Sequence, residues 1–278
     1  MRVMSEAAIA VFDSGLGGLT CVKQLVSLVP HENIIYFGDT ARVPYGNRST
    51  KTISRYASQA IDFLTSKNVK LLINACGSMS SSLDFEYTKT LQLPYLDCIN
   101  PAALAAVKAT KNNNIGVIAT AATIKSNAFI KAIHNIDSDI NIISKACPLF
   151  VPLVECGYIE RDNQICRLVV ESYLKEIKES GVDTLVLGCT HYPIISDIIS
   201  DFMGEAITLI DSGAEAAKQA AKILEVEAKT NGTGGSLEVY ISDSPIGFLE
   251  VATTFLGFTP KDVTTVDIEA IEESRDQT

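Results

Sequence analysis

Ala8-Ile9-Ala10-Val11-Phe12-Asp13-Ser14-Gly15-Leu16-Gly17-Gly18-Leu19-Thr20 reads as a strand, a glycine turn and the start of a helix. An apolar run without alternation suits a strand covered on both faces, the condition of a parallel sheet. Asp13 closes the run, the glycines let the chain turn, and a helical pattern continues from about Gly17 to Val29. A strand that ends at a polar residue and feeds a helix through glycine is the unit from which parallel α/β sheets are built.

The same unit recurs along the chain. Ile-, Val- and Leu-rich runs at 34–37, 71–75, 95–99, 115–118, 140–143, 185–188, 207–210 and 237–241 predict further strands. Between them lie segments of helical period: Ile53, Ala57, Ala60, Ile61 and Leu64 fall on one helix face. The fold expected is therefore α/β, two similar domains with parallel sheets flanked by helices and the active site in the cleft between them. Polar Asn112-Asn113-Asn114 and the segment around Pro94 to Pro101 set a crossing near residue 100. The domains expected are 1–98 plus 208–278, and 99–207. Internal similarity supports duplication: Leu71-Leu72-Ile73-Asn74-Ala75-Cys76 is like Leu185-Val186-Leu187-Gly188-Cys189, and Ile9–Ser14 is like Ile115–Thr120. Residues 230–236 read as a flexible loop and 267–278 as a frayed acidic tail.

Composition narrows the function. With 278 residues, 47% of them hydrophobic and 20% charged, the chain can bury two cores and does not resemble a disordered one. Its formal charge of −10, with Lys and Arg scattered, lacks the footprint of a nucleic-acid binder. The first twelve residues are too weakly apolar for a signal peptide, and no run approaches the roughly 18 apolar residues of a membrane span. A cytoplasmic protein without nucleic-acid or membrane partners is expected, its seven cysteines reduced. A homodimer is one assembly open to it.

Ligands of open parallel sheets bind beyond the carboxyl ends of the strands. Four such ends carry unusual side chains: Asp13-Ser14, Asp39, Cys76-Gly77-Ser78 and Cys189-Thr190-His191. The Asp13–Thr20 turn suits a carboxylate or phosphate at a helix N-terminus, yet a tight turn alone would also demand glycine. It matches no phosphate loop, because Thr20 stands where the third glycine of G-x-G-x-x-G would fall. Cys21, Cys98, Cys147, Cys156 and Cys166 are read as small buried hydrophobes. Cys76 and Cys189 differ because each follows an apolar strand and precedes small hydroxylated residues, which places each where a strand gives way to a helix N-terminus, a setting expected to lower thiol pKa. Asp13 and His191 are placed to exchange protons with them. Zinc held by Cys76, Cys189 and His191 is the rival, unsupported by any C-x-x-C or H-E-x-x-H spacing.

At these residues the chain resembles the glutamate racemase family. The matching blocks are Val11–Thr20, Tyr36-Phe37-Gly38-Asp39-Thr40-Ala41-Arg42-Val43-Pro44-Tyr45-Gly46, Pro148-Leu149-Phe150-Val151-Pro152-Leu153-Val154-Glu155 and Gly188-Cys189-Thr190-His191-Tyr192-Pro193. They run in family order over most of the chain. One block departs: the family's usual Ala-Cys-Asn-Thr is Ala75-Cys76-Gly77-Ser78 here. Loss of the amide side chain is expected to enlarge the pocket or admit a water.

The resemblance implies a cofactor-independent enzyme that interconverts L- and D-glutamate with two cysteines and supplies D-glutamate for peptidoglycan. It implies that Cys76 serves the D-enantiomer and Cys189 the L-enantiomer, assisted by Asp13 and His191 respectively. Asp13, Ser14, Tyr45, Gly46, Gly77, Ser78, Thr190 and His191 fall at substrate-contact positions, and Thr120, Thr123 and Glu155 in supporting ones. Two alternatives stay open: a racemase of another acidic amino acid such as aspartate, and a ligand-binding relative without turnover.

Overall fold

In the computed structural model, residues 7–226, 234–244 and 246–268 are described. Most of the expected flexible loop (230–233) and all but the start of the expected tail (269–278) lie outside them.

Among the described residues the chain forms two parallel sheets. The first contains β1 (Ala8–Asp13), β2 (Ile34–Gly38), β3 (Val69–Asn74), β4 (Tyr95–Asp97), β9 (Leu237–Ile241) and β10 (Asp262–Thr265), in the order β10-β9-β2-β1-β3-β4. The second contains β5 (Asn114–Ala119), β6 (Asn141–Ala146), β7 (Thr184–Leu187) and β8 (Thr208–Asp211), in the order β6-β5-β7-β8. Every pairing is parallel. The apolar runs mark nine of these strands; β10 was not expected, because its exposed polar residues suit an edge and leave no apolar run to read.

β1 illustrates how the run is used. Ile9 and Val11 point into one hydrophobic core, which also holds helix Leu19–Leu28 and the second sheet, whereas Ala8, Ala10 and Phe12 point into another beneath helix Thr50–Thr65. Ile53, Ala57, Ala60, Ile61 and Leu64 of that helix are all buried, as their spacing predicts.

The internal similarity has a topological counterpart. Matching β1 with β5 and β3 with β7 makes β2-β1-β3-β4 and β6-β5-β7-β8 the same arrangement. Helix Ile99–Ala109 carries the chain from β4 to β5, and helix Ser212–Val226, packed on Leu19–Leu28, carries it back. The expected boundary at 208 needs correction: Thr208–Asp211 pairs with β7 and so belongs to the second sheet. No described helix is long and apolar enough to cross a membrane.

Candidate active site

The equivalent strands β1, β3, β5 and β7 bring their carboxyl ends together. Two reciprocal contacts join the sheets there. The segment after β7 reaches the end of β1, where Thr190 Oγ1 donates to Asp13 Oδ2 at 3.2 Å. The segment after β3 reaches the end of β5, where the Ser78 and Thr120 hydroxyls lie 2.9 Å apart. Thr20 Oγ1 also donates to the Thr190 carbonyl at 3.1 Å. Close approach requires glycine at Gly17, where a Cβ would overlap Thr190 Oγ1 and the His191 ring.

Between these ends lies a cavity of about 430 Å³. Of the residues singled out in the sequence, Ser14, Tyr45, Gly46, Cys76, Gly77 and Ser78 line it from the first unit. Thr120, Glu155, Cys189, Thr190 and His191 line it from the second. Cys76 and Cys189 occupy equivalent positions, each two residues beyond the last residue of its strand. One core fragment has thus been used twice to present a thiol to one cavity from two directions in the fold.

Each thiol has its own company. Cys76 Sγ donates to Ser14 Oγ at 3.4 Å. Burial, and next the Asp13 carboxylate, push its pKa up to about 11, which corrects the lowering expected at a helix N-terminus. Burial also pushes Cys189 well up. Its Sγ lies 4.0 Å from His191 Nδ1, while His191 Nε2 lies 2.9 Å from Glu155 Oε1. A carboxylate can only accept, so Nε2 carries the hydrogen that goes to Glu155; in the neutral ring Nδ1 is then left with a lone pair for the Cys189 proton. Glu155 fixes the tautomer that a base beside Cys189 needs.

Asp13 does not line the cavity. It is fully buried behind it, accepting from the Gly15 amide at 2.9 Å as well as from Thr190, and burial raises its pKa. Thr123 is likewise buried, with its hydroxyl 3.1 Å from that of Thr120. Asp39 is withdrawn too, bound to Arg42 at 2.7 Å, to Ser242 at 2.8 Å and to the hydroxyl of Tyr45. Tyr45 therefore faces the cavity with its hydroxyl committed elsewhere.

Some lining residues were not singled out in the sequence. Val43, Pro44, Pro148, Val151 and Pro152 form an apolar wall; they lie inside the matching blocks, but nothing about a proline or valine marks it as pocket rather than core. Asn47 and Cys156 also line the cavity. Cys156 corrects an expectation, because it is exposed whereas Cys21, Cys98, Cys147 and Cys166 are buried. It follows the short helix Phe150–Glu155 at a C-terminus that faces solvent.

Gly77 behaves differently from expectation. A Cβ at this position would overlap the carbonyl oxygen of Gly188, so the missing side chain opens no space at that point: backbone from the second unit fills it. Restoring the family residue should fail for that reason. Gly77→Asn is expected to cost about 1–3 kcal/mol by overpacking and to lower racemisation. Denaturant unfolding and a racemisation assay would check this; a variant as stable and active as the parent would contradict it.

Among the described residues, no group of three His, Cys, Asp or Glu side chains is arranged to hold a metal ion. Among the described residues, no Lys or Arg lines the cavity. An anionic ligand would rely on hydroxyls, Asn47 and backbone N–H groups.

The same architecture occurs in known proteins. Residues 13–220 match the model of the Asp/Glu/hydantoin racemase family. The chain is 42% identical over 272 residues to the glutamate racemase of Geobacter metallireducens, covering 97% of this chain and 100% of that one. The crystal structure of Francisella tularensis glutamate racemase in complex with D-glutamate superposes with a TM-score of 0.89 at 36% identity, covering 96% of this chain and 99% of that one. That of Thermus thermophilus glutamate racemase in complex with β-chloro-D-alanine gives 0.85 at 37% identity, covering 95% and 98%. A full-length match in sequence and fold, together with a cysteine at the same end of both duplicated units, means that the chain belongs to the Asp/Glu racemase family.

Proposed function

We propose that this protein is a glutamate racemase, acting in the cytoplasm and supplying D-glutamate for peptidoglycan. The observation that carries this reading is the pair of thiols at equivalent strand ends on one cavity, Cys189 beside His191 and Cys76 in the field of the buried Asp13 carboxylate. The chain's identity to glutamate racemases over nearly its full length supports the substrate.

Inverting Cα requires a proton to leave one face and another to arrive on the opposite face, which two opposed acid–base groups accomplish without turning the substrate. With D-glutamate bound, the Cys76 thiolate takes the Cα proton and the C–H electron pair is delocalised into the substrate carboxylate. The Cys189 thiol then delivers its proton to the other face. L-Glutamate leaves behind a Cys76 thiol and a Cys189 thiolate, the state that runs the reaction backwards. Asp13 and His191 restore the original state by moving protons to and from Cys76 and Cys189. Ser14, Ser78 and Thr120, with backbone N–H groups, hold the carboxylates and stabilise the charge that builds on the α-carboxylate, while the Thr190 hydroxyl lines the cavity with its hydrogen committed to Asp13.

In deuterium oxide without added cofactor, the purified protein is expected to incorporate deuterium at Cα of glutamate while racemising it, because the thiols exchange with solvent. Nuclear magnetic resonance and polarimetry would follow both processes. A kcat/KM higher for aspartate than for glutamate would overturn the substrate; no exchange with either would overturn the enzyme.

A further inference from the structure

We infer that Asn74 is a positioning residue that fixes the backbone carrying Cys76. The inference rests on the reading of Cys76 as an acid–base thiol. Asn74 is the last residue of β3 and is fully buried, a place where an amide is costly unless its polar atoms are bonded. Both ends are bonded. Its Oδ1 accepts the Cys76 backbone N–H at 3.2 Å, and its Nδ2 donates to the Tyr95 hydroxyl at 3.0 Å. Its carbonyl oxygen also accepts from Ser80 Oγ at 3.2 Å, tying down the turn that follows the cysteine. The amide orientation is fixed by chemistry, since only the oxygen can accept from a backbone N–H.

Comparison with the duplicated unit indicates that the fold does not require this polar residue. The equivalent place, two residues before Cys189, is held by buried Leu187 at the end of β7. The unit that carries Cys76 has a different need. After Cys76 comes Gly77, the residue with the freest backbone, whereas Thr190 follows Cys189. Gly77 is required there by the close approach of the Gly188 carbonyl. Asn74 offsets that freedom by clamping the cysteine's own amide and anchoring the clamp on Tyr95 of the neighbouring strand. Acid–base catalysis is sensitive to placement on the scale of an ångström, so a backbone clamp outside the cavity influences the reaction without touching substrate.

Asn74→Leu, which copies the other unit, is expected to fold and to lower racemisation kcat/KM by about tenfold. Because the enantiomers have equal energy, kcat/KM must fall equally in both directions; isotope effects reveal which thiol is impaired. A slower Cys76 step makes proton removal from D-glutamate more rate-limiting. The primary isotope effect on kcat/KM with Cα-deuterated D-glutamate should rise. With Cα-deuterated L-glutamate it should fall, because reprotonation by Cys76 now limits that direction. Tyr95→Phe, which leaves the Asn74 Oδ1 bond in place, should move both effects the same way by less, and serves if the leucine variant does not fold.

A general loosening of the site would lower kcat/KM and leave the asymmetry unchanged; that result, or parental kcat/KM, overturns the proposal. Asymmetry in the reverse sense also overturns it, unless Cys76→Ser shows the thiols' enantiomers to be exchanged, in which case the fault lies in that assignment. If Cys76→Ser keeps full racemase activity, the proposed reaction itself fails, whatever Asn74→Leu does.

Discussion

Cys76→Ser and Cys189→Ser should each lower racemisation by about a thousandfold or more, while retaining one half of the chemistry. A hydroxyl is a far weaker acid than a thiol, so serine cannot readily supply the conjugate base. The remaining thiol still works on its own face. With an amino-acid analogue carrying a β-chloro group, that thiolate removes the Cα proton, the C–H electron pair forms the Cα=Cβ bond and chloride departs. No second proton is needed on the opposite face. Cys76→Ser should therefore eliminate from the L-analogue and Cys189→Ser from the D-analogue, measured as chloride release. Serine at Cys21 or Cys166, both buried away from the cavity, should leave most racemisation intact. Reversed enantiomer preferences would exchange the two assignments. Full racemisation in either variant would eliminate the two-thiol mechanism.

Asp13→Asn should separate thiol acidity from proton transfer, because the two move in opposite directions. The Cys76 thiol sits at about 11 through burial first and the Asp13 carboxylate second. Below that value the thiolate fraction grows about tenfold per pH unit, so parental kcat/KM should rise with pH through neutrality. Asparagine is close in shape, and its side-chain oxygen can still accept from the Gly15 amide. Removing the negative charge lets the thiol ionise at lower pH, seen as a downward shift in the pH profile of Cys76 alkylation. If acidity were all that mattered, racemisation would increase. With Asp13 as the group that exchanges a proton with Cys76, it should instead fall by about a hundredfold. A variant that ionises more easily and racemises faster would reduce Asp13 to background charge.

Asp13 also marks where reading the sequence reaches its limit. Its place at a strand end beside a glycine turn made it a candidate, and its position behind the cavity wall, held by Thr190, was invisible. The contact joins residues far apart in the chain, and no local pattern encodes it. Lys70 presents the same problem in the core. A lysine before an apolar run reads as a strand boundary, yet β3 begins at Val69 and buries Lys70 against Glu32 at 2.5 Å. The partner that makes such a burial tolerable lies in a distant segment, so the apolar run alone starts the strand too late.

What the sequence determined by itself is the part written in short-range periodicity. Continuous apolar runs produce strands covered on both faces, helical spacing supplies their covers, and polar or thiol side chains just beyond the runs fall at carboxyl strand ends. That logic named Cys76 and Cys189 and put them in equivalent units. Tertiary structure alone decided how the units meet: the Gly188 carbonyl takes the space beside Gly77, Tyr45 turns its hydroxyl to Asp39, and Glu155 selects the tautomer of His191. It also left Cys156 exposed at the cavity although Val154, two residues before it, is buried. Strand and helix periods fix which way a side chain points within its own element; the neighbour it meets depends on how separate elements pack, and that is set by contacts across the whole chain.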